Sequence, residues 1–228
     1  MQIQYNRIVD LSHPIHSDMP HWPGDPATKL EKVNDFERDG YHLHRLVIGE
    51  HSGTHVGWPS HFDFPNQEPE RLVFSAVRIL DDRPTTQDSI DRWESLYGPI
   101  PAYCVILYQT NWSRHWNEQA VYMQGYPGID PQAVRWLVHE RQIVGLGIDS
   151  PGIDAFDSDD HAGNKYLARH GCFHLENLTN LHLLPDRGIH LFVGALAIKG
   201  STGSPARVLA LLDSDAFPAS FDKHGHHA

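Results

Sequence analysis

The chain is poor in cysteine, in cationic side chains and in long apolar runs, and each shortage removes a class of function. Two cysteines in 228 residues, Cys104 and Cys172, cannot build a four-thiolate zinc site. Cys104 stands in the apolar run YCVILY and Cys172 in HGCFHL, so both read as buried, inert thiols. Lys and Arg total 18 against 29 Asp and Glu, a formal charge of -11. That is the wrong sign for a surface that must displace counterions from nucleic-acid phosphates. No stretch approaches the roughly 18 to 20 apolar residues of a membrane helix. The opening MQIQYNRIVDLSHP lacks the basic-then-apolar order of a secretory leader. The expected address is the cytoplasm, and the expected partners are a small molecule and further copies of the chain, with neither nucleic acid nor membrane.

Histidine is abundant, at 18 residues. Three of them, His224, His226 and His227, belong to a tail at 223–228 that is expected to be disordered. Residues 1–222 read as one domain, because 40% hydrophobic content supports a proper core and no linker, repeat or low-complexity segment divides the chain. Strand-like runs recur: RIVDLSH, LHRLVIGEH, SAVRIL, CVILYQT, QIVGLGID, HLFVGALAI and ARVLALL. Helical signals are fewer. TQDSIDRWESLY has apolar residues at helical spacing, DPQAVRWLVHERQ opens with Asp130 as cap and Pro131 in the first turn, and KYLARHG is a short helix stopped by Gly171. This mixture predicts an α/β fold on a mixed sheet, with a site built from strand ends and the loops after them.

The chemistry-bearing stretch is GEHSGTHVGWPSHF, with His51, His55 and His61 around a Gly-Thr turn. A tight turn through Ser52 and Gly53 is expected to bring His51 and His55 together as half of a metal site, or simply as polar loop residues. His61 after Pro59 can act as a general acid or base, because imidazole titrates near neutrality, or can be a hydrogen-bonded structural residue. Glu176 lies in the apolar stretch FHLENLTNL, where a buried carboxylate needs a metal, a cation or a proton, unless strand alternation points it at solvent. Trp22, on the turn MPHWPGDP, can wall a substrate pocket or cap the core. His161, in DSDDHAG, is either a site residue or a solvated loop histidine.

Taken together these pieces resemble the cyclase or kynurenine formamidase family of metal-dependent hydrolases. HSGTHVGWPSH resembles its signature H-x-G-T-H-x-D-x-P-x-H, and DLSHPIHSDMPHWPGDP, GLGIDSPGID, HGCFHLENLTNL and AIKGSTGSPARVLAL follow in the family order, from Asp10 to about Leu212. The resemblance implies a swivelling β/β/α domain with a central mixed or barrel-like sheet, assembled as a homodimer or homotetramer. It also implies metal ligands at His51, His55 and Glu176. The signature aspartate, which would bridge two ions, is Gly57 here, and the histidine twelve residues before the glutamate is Asn164. Glycine brings no charge to hold two cations together, so a two-ion site is not expected.

Two chemical outcomes remain open from the sequence. One divalent ion, zinc or manganese, could sit on His51, His55 and Glu176, with His161 or Asp63 in reserve, for a mononuclear amidohydrolase of the aryl formamidase type. Alternatively no metal binds, and His51, His55, His61 and Glu176 serve acid–base cyclisation or dehydration of a small carbonyl compound, as in secondary metabolism. Gly57 is then expected to open space for substrate beside His55, with Trp22, Asn164 and His161 as further substrate contacts. A non-catalytic small-molecule-binding protein on the same scaffold is the third reading.

Overall fold

The computed structural model describes residues 3–65, 72–81 and 87–213; the expected tail at 223–228 lies outside them. Among the described residues ten strands run in chain order as β1 (Arg7–Asp10), β2 (Lys29–Asn34), β3 (Leu43–Val47), β4 (His55–Gly57), β5 (Val73–Leu80), β6 (Val105–Gln109), β7 (Gly145–Ile148), β8 (Phe173–Glu176), β9 (Ile189–Ala195) and β10 (Gly203–Leu212). Helices α1 (Phe36–Asp39), α2 (Gln87–Tyr97), α3 (Gln119–Tyr122), α4 (Pro131–Arg141) and α5 (Ala162–Arg169) lie between them.

Strands β5, β6, β7 and β8 are parallel to one another, while β8 continues antiparallel to β4, β4 to β10, β10 to β9, and β9 back to β5. The ring closes at seven strands as a mixed barrel-like sheet, with β1 added on the far half of β10. Closure leaves no open sheet edge in the ring and gives every strand an inner and an outer face. Residues of β6 divide accordingly. Val105 and Leu107 join Val56, Leu175, Leu191 and Val208 in the lumen, whereas Ile106 and Tyr108 pack outward with Ile90, Val134 and Leu137 of helices α2 and α4.

The strong local signals act where the sequence placed them. Asp130 caps α4 by accepting from the Gln132 N–H at 2.8 Å, and Pro131 occupies its first turn. The run KYLARHG is helical, but α5 begins earlier, at Ala162. LHRLVIGEH is strand only to Val47; beyond it the chain leaves the sheet into the turn that carries His51.

A separate two-stranded ribbon, β2 with β3, stands outside the barrel and exposes Leu30, Val33, Leu43, Leu46 and Val47. No helix among the described residues is long and apolar enough to cross a membrane.

The lumen is closely packed, and Leu107 is fully buried in it. Leu107→Ala is expected to lower the unfolding free energy by about 2–5 kcal/mol through lost burial and the cavity left behind. Urea denaturation measures this, and a loss below about 1 kcal/mol would contradict a packed barrel interior.

Candidate active site

Strand alternation decides which side chains meet. On β4 the middle residue Val56 points into the lumen, so His55 and Gly57 face outward; on β8, Phe173 and Leu175 point inward and His174 and Glu176 outward. Register then pairs His55 with Glu176 and Gly57 with His174. The turn before β4 completes the cluster. Gly53 takes a positive φ of 64°, open to glycine without a side-chain penalty, and brings the His51 ring to 5.2 Å from that of His55. His61, in the short turn after β4, lays its ring 3.9 Å from that of His51.

The Asn177 side chain ties this turn to β8. Its amide donates to the Gly53 carbonyl at 2.9 Å and its oxygen accepts from the Tyr122 hydroxyl at 2.8 Å. Thr54 Oγ1 donates to the Asn177 carbonyl at 2.6 Å and accepts from the His13 N–H at 2.9 Å. The site is thus clamped by several hydrogen bonds that are themselves buried.

Two of the imidazoles have their tautomers set by partners that can only accept. His55 Nδ1 donates to the Gly53 carbonyl at 2.9 Å, which leaves Nε2 for the site. That atom is buried without a hydrogen-bond partner and lies 3.3 Å from Glu176 Oε2. Thr202 spends its hydroxyl proton on Glu50 Oε2 at 2.7 Å, so it accepts from His51 Nε2 at 3.0 Å and leaves the His51 lone pair on Nδ1.

Glu176 is oriented just as firmly. Its Oε1 accepts from the Ile153 N–H at 3.1 Å and from Asn164 Nδ2 at 3.2 Å, so Oε2 is the oxygen turned to the histidines. Burial pushes this carboxyl up, but the imidazoles of His174 and His55 against it outweigh burial and bring it down to about 2. Burial and then the neighbouring rings pull His51 down to about 2, burial pulls His174 down to about 4, and His61 is also lowered by burial. Near neutral pH the cluster therefore sets the buried Glu176 carboxylate among rings that include the neutral His51 and His174, an arrangement that a cation between them would stabilise.

A metal ion fits that demand. One nitrogen from each of His51, His55 and His174 lies within 4.8 Å of the other two, so these three residues could hold an ion. Above them opens a cavity of about 260 Å³ whose walls include Trp22, Phe62, Met123, Tyr126 and His161. Trp22 meets Tyr126 and His161 edge-on at 6.3 and 6.2 Å.

Of the residues singled out in the sequence, His51, His55, His61, Glu176, Trp22, Asn164 and His161 all line this cavity. Gly57 does not. The space expected beside it for substrate is filled by the His174 ring, whose Nε2 lies 2.0 Å from where a Cβ at position 57 would stand. Asp63 is exposed, in the left-handed cap after Pro59–Phe62, and does not line the cavity. His174 also lines the cavity and is not among the residues singled out in the sequence. The signal was the spacing itself, since residues two apart on a strand share a face.

Comparison with known proteins identifies the chain's family. The family described as "Putative cyclase" matches residues 9–155. The chain belongs to the cyclase family. Isatin hydrolase from Roseibium aggregatum is 30% identical over 216 residues, covering 82% of each chain. A kynurenine formamidase from Bacillus thuringiensis is 27% identical over 209 residues, covering 88% of this chain and 95% of its own. Isatin hydrolase A from Ralstonia solanacearum superposes with a TM-score of 0.82 at 29% identity, covering 91% of this chain and 92% of its own. With these relatives, the chain is an enzyme of the cyclase-family hydrolase kind.

The clamp has a pH signature. The His13 ring stacks on Trp116 at 3.9 Å, and burial, with His16 adding to it, holds its pKa at about 4 against an ordinary 6.5. The unfolded chain takes up this proton near 6.5 and the folded one only near 4. The stabilisation is therefore complete above 6.5 and is lost as pH falls towards 4. Denaturation at pH 7.5, 5.5 and 4.5 is expected to show decreasing stability, with a shallower fall in His13→Phe. An equal fall in both proteins would remove His13 from this account.

Proposed function

We propose that the protein hydrolyses the C–N bond of a small amide whose nitrogen is carried on an aromatic ring, either a cyclic amide of the isatin type or an N-formyl group. The carrying observation is the convergence of three imidazoles and the buried carboxylate of Glu176 at an aromatic-walled cavity. The names of the relatives support the same bond class. At about 260 Å³ the cavity suits a flat compound of one or two rings held against Trp22, Phe62 and Tyr126.

In this reading a single divalent ion is held at the histidines, and when bound it would lower the pKa of a water and polarise the substrate carbonyl. Glu176 Oε2, the oxygen left unused by Ile153 and Asn164, takes the proton of the attacking water. His61 stands at the exposed rim, beside His51, and relays the proton that Glu176 has taken from the water to the departing nitrogen, which returns both groups to their starting state. Water adds across the bond: the carbonyl carbon becomes a carboxylate and the nitrogen an amine. Asn164 acts through Glu176 by keeping Oε2 turned to the site.

Isatin and an N-formylaniline are the first substrates to assay. Removing metal with a chelator is expected to abolish turnover, and zinc or manganese to restore it. Glu176→Gln is expected to lower kcat by at least about 100-fold, the scale of a lost general base, with the circular dichroism spectrum unchanged. Full activity after chelation would replace this reading with metal-free acid–base chemistry at His61 and Glu176.

Assembly belongs to the same proposal, with the chain acting in the cytoplasm as a homodimer or homotetramer. A two-stranded ribbon is marginal alone in water, and the apolar side chains of β2 and β3 support burial against another copy. Light scattering is expected to give a multiple of the 25.9 kDa chain mass, reduced by Leu46→Glu; a monomeric wild type would refute it.

A further inference from the structure

The row of residues that runs across β10, β4 and β8 carries a second layer of information. Gly203 on β10 faces Gly57 on β4, and Gly57 faces His174 on β8. Both glycines lie directly under imidazoles. A Cβ at position 57 would stand 2.0 Å from His174 Nε2 and 2.1 Å from its Cε1, and one at position 203 would stand 2.5 Å from His51 Cε1 and 2.9 Å from its Nε2. Neither approach is tolerable for a side-chain carbon, and neither ring can withdraw easily. His174 is 3% exposed, and His51 is held from behind by Thr202 and Glu50. The two glycines therefore form a floor, and the two rings lie on it.

We propose that this floor defines the ion: Gly57 and Gly203 make room for a site of three neutral nitrogens, from His51, His55 and His174, which favours a zinc-type ion over oxygen-seeking manganese or magnesium. The inference rests on the reading above that an ion is held here, and it adds which residues hold it and which class of ion they select. The donor set carries the selectivity. Imidazole nitrogen suits zinc, cobalt and nickel, whereas manganese and magnesium favour carboxylate and water oxygen. Donor atoms that already lie within 4.8 Å of one another would be gathered by a tetrahedral zinc ion, with bonds of about 2.0–2.1 Å, to separations of roughly 3.4 Å. Glu176 completes the picture as the carboxylate paired with His55 across the ladder. With Oε1 engaged by Ile153 and Asn164, its remaining oxygen balances part of the ion's charge without displacing an imidazole.

The glycine at 57 and the histidine at 174 are then one coupled exchange. A residue with any side chain at 57 excludes the ring, and a ring at 174 excludes any side chain. A carboxylate at 57 would give a mixed nitrogen–oxygen site, but only if position 174 were emptied.

The test measures ion binding rather than turnover. All proteins carry His224→Ala, His226→Ala and His227→Ala so that the tail cannot contribute, and zinc and manganese affinities are read by competition with a chromophoric chelator, with stoichiometry from elemental analysis. Wild type is expected to bind one zinc per chain. H174A is expected to bind zinc at least about 100-fold more weakly, and G57A to lose as much because the ring is displaced. The double variant G57A/H174A should be no weaker than H174A, and should recover any thermal stability that G57A loses, so a G57A protein that fails to fold still leaves the coupling measurable. G57D/H174A should regain an ion while its zinc-to-manganese affinity ratio falls at least tenfold. If wild type binds zinc and H174A binds it equally well, or if G57D/H174A keeps the wild-type ratio, this inference is overturned and the hydrolase reading stands. If wild type binds neither ion, both fall together.

Discussion

The three-residue strand β4 is the constraint on which the site depends. It is hydrogen-bonded on both sides, to β10 and to β8, inside a ring with no free edge. Its register cannot slip by one without sending His55 into the lumen and Val56 into the cavity, an exchange of a buried apolar contact for an unpartnered polar one. Closure of the barrel thus fixes an outward row of His55, Gly57, His174 and Glu176 to within the tolerance of a β ladder. The lumen beneath, filled by Val56, Leu175, Val208 and their neighbours, supplies the stiffness. A site placed on such strands keeps its geometry far better than one carried only by loops.

The electrostatics of the cluster follow from that placement. A carboxylate taken out of water is costly unless charge or hydrogen bonds compensate, and at Glu176 the compensation is asymmetric. One oxygen receives two N–H groups, and the other faces an unpartnered imidazole nitrogen. His51 and His174 resist protonation because they are buried and crowded by neighbouring rings. The negative charge is fixed while the neighbouring lone pairs stay free, and this imbalance is what an ion would relieve. The same imbalance makes a merely structural role for the cluster expensive, since a fold selected only for stability would do better with apolar residues on this face.

Much of this was legible in the residues, and the losses have identifiable causes. Long runs with β-branched content, such as SAVRIL and CVILYQT, announce strands because they bury both faces. Asp130 and Pro131 announce α4 because capping is local chemistry. The strands β4 and β8 were harder, being three and four residues long and carrying His, Gly and Glu in place of β-formers. Their pairing partners, not their own propensities, make them strands. His51, His55 and Glu176 could be named from the sequence because each belongs to a recognisable motif. His174 could not be named that way, because its importance lies in the cross-strand pair it forms with Gly57, 117 positions away in the sequence by simple difference. Thr202 and Glu50, which set the His51 tautomer, are invisible for the same reason.

That pairing also changes what the missing aspartate means. Read along the chain, glycine in place of an acidic residue is a deletion, and it suggests a weakened or abandoned metal centre. Read across the sheet, the same glycine is one half of a steric exchange, because the volume it vacates is occupied by a nitrogen donor from the next strand. In the proposed site such an exchange would keep the number of donors and change their charge. In the proposed site a nitrogen would stand where the signature that the sequence resembles has an anionic oxygen, which would increase the share of an ion's charge that Glu176 must balance. A buried carboxylate under that load is best served by fixed donors on its other oxygen, and Asn164 and Ile153 are placed to provide them. Gly57 and Asn164 are therefore physically consistent with each other in the proposed site: the first would leave an ion's surroundings without a second anion, and the second holds Glu176 in place.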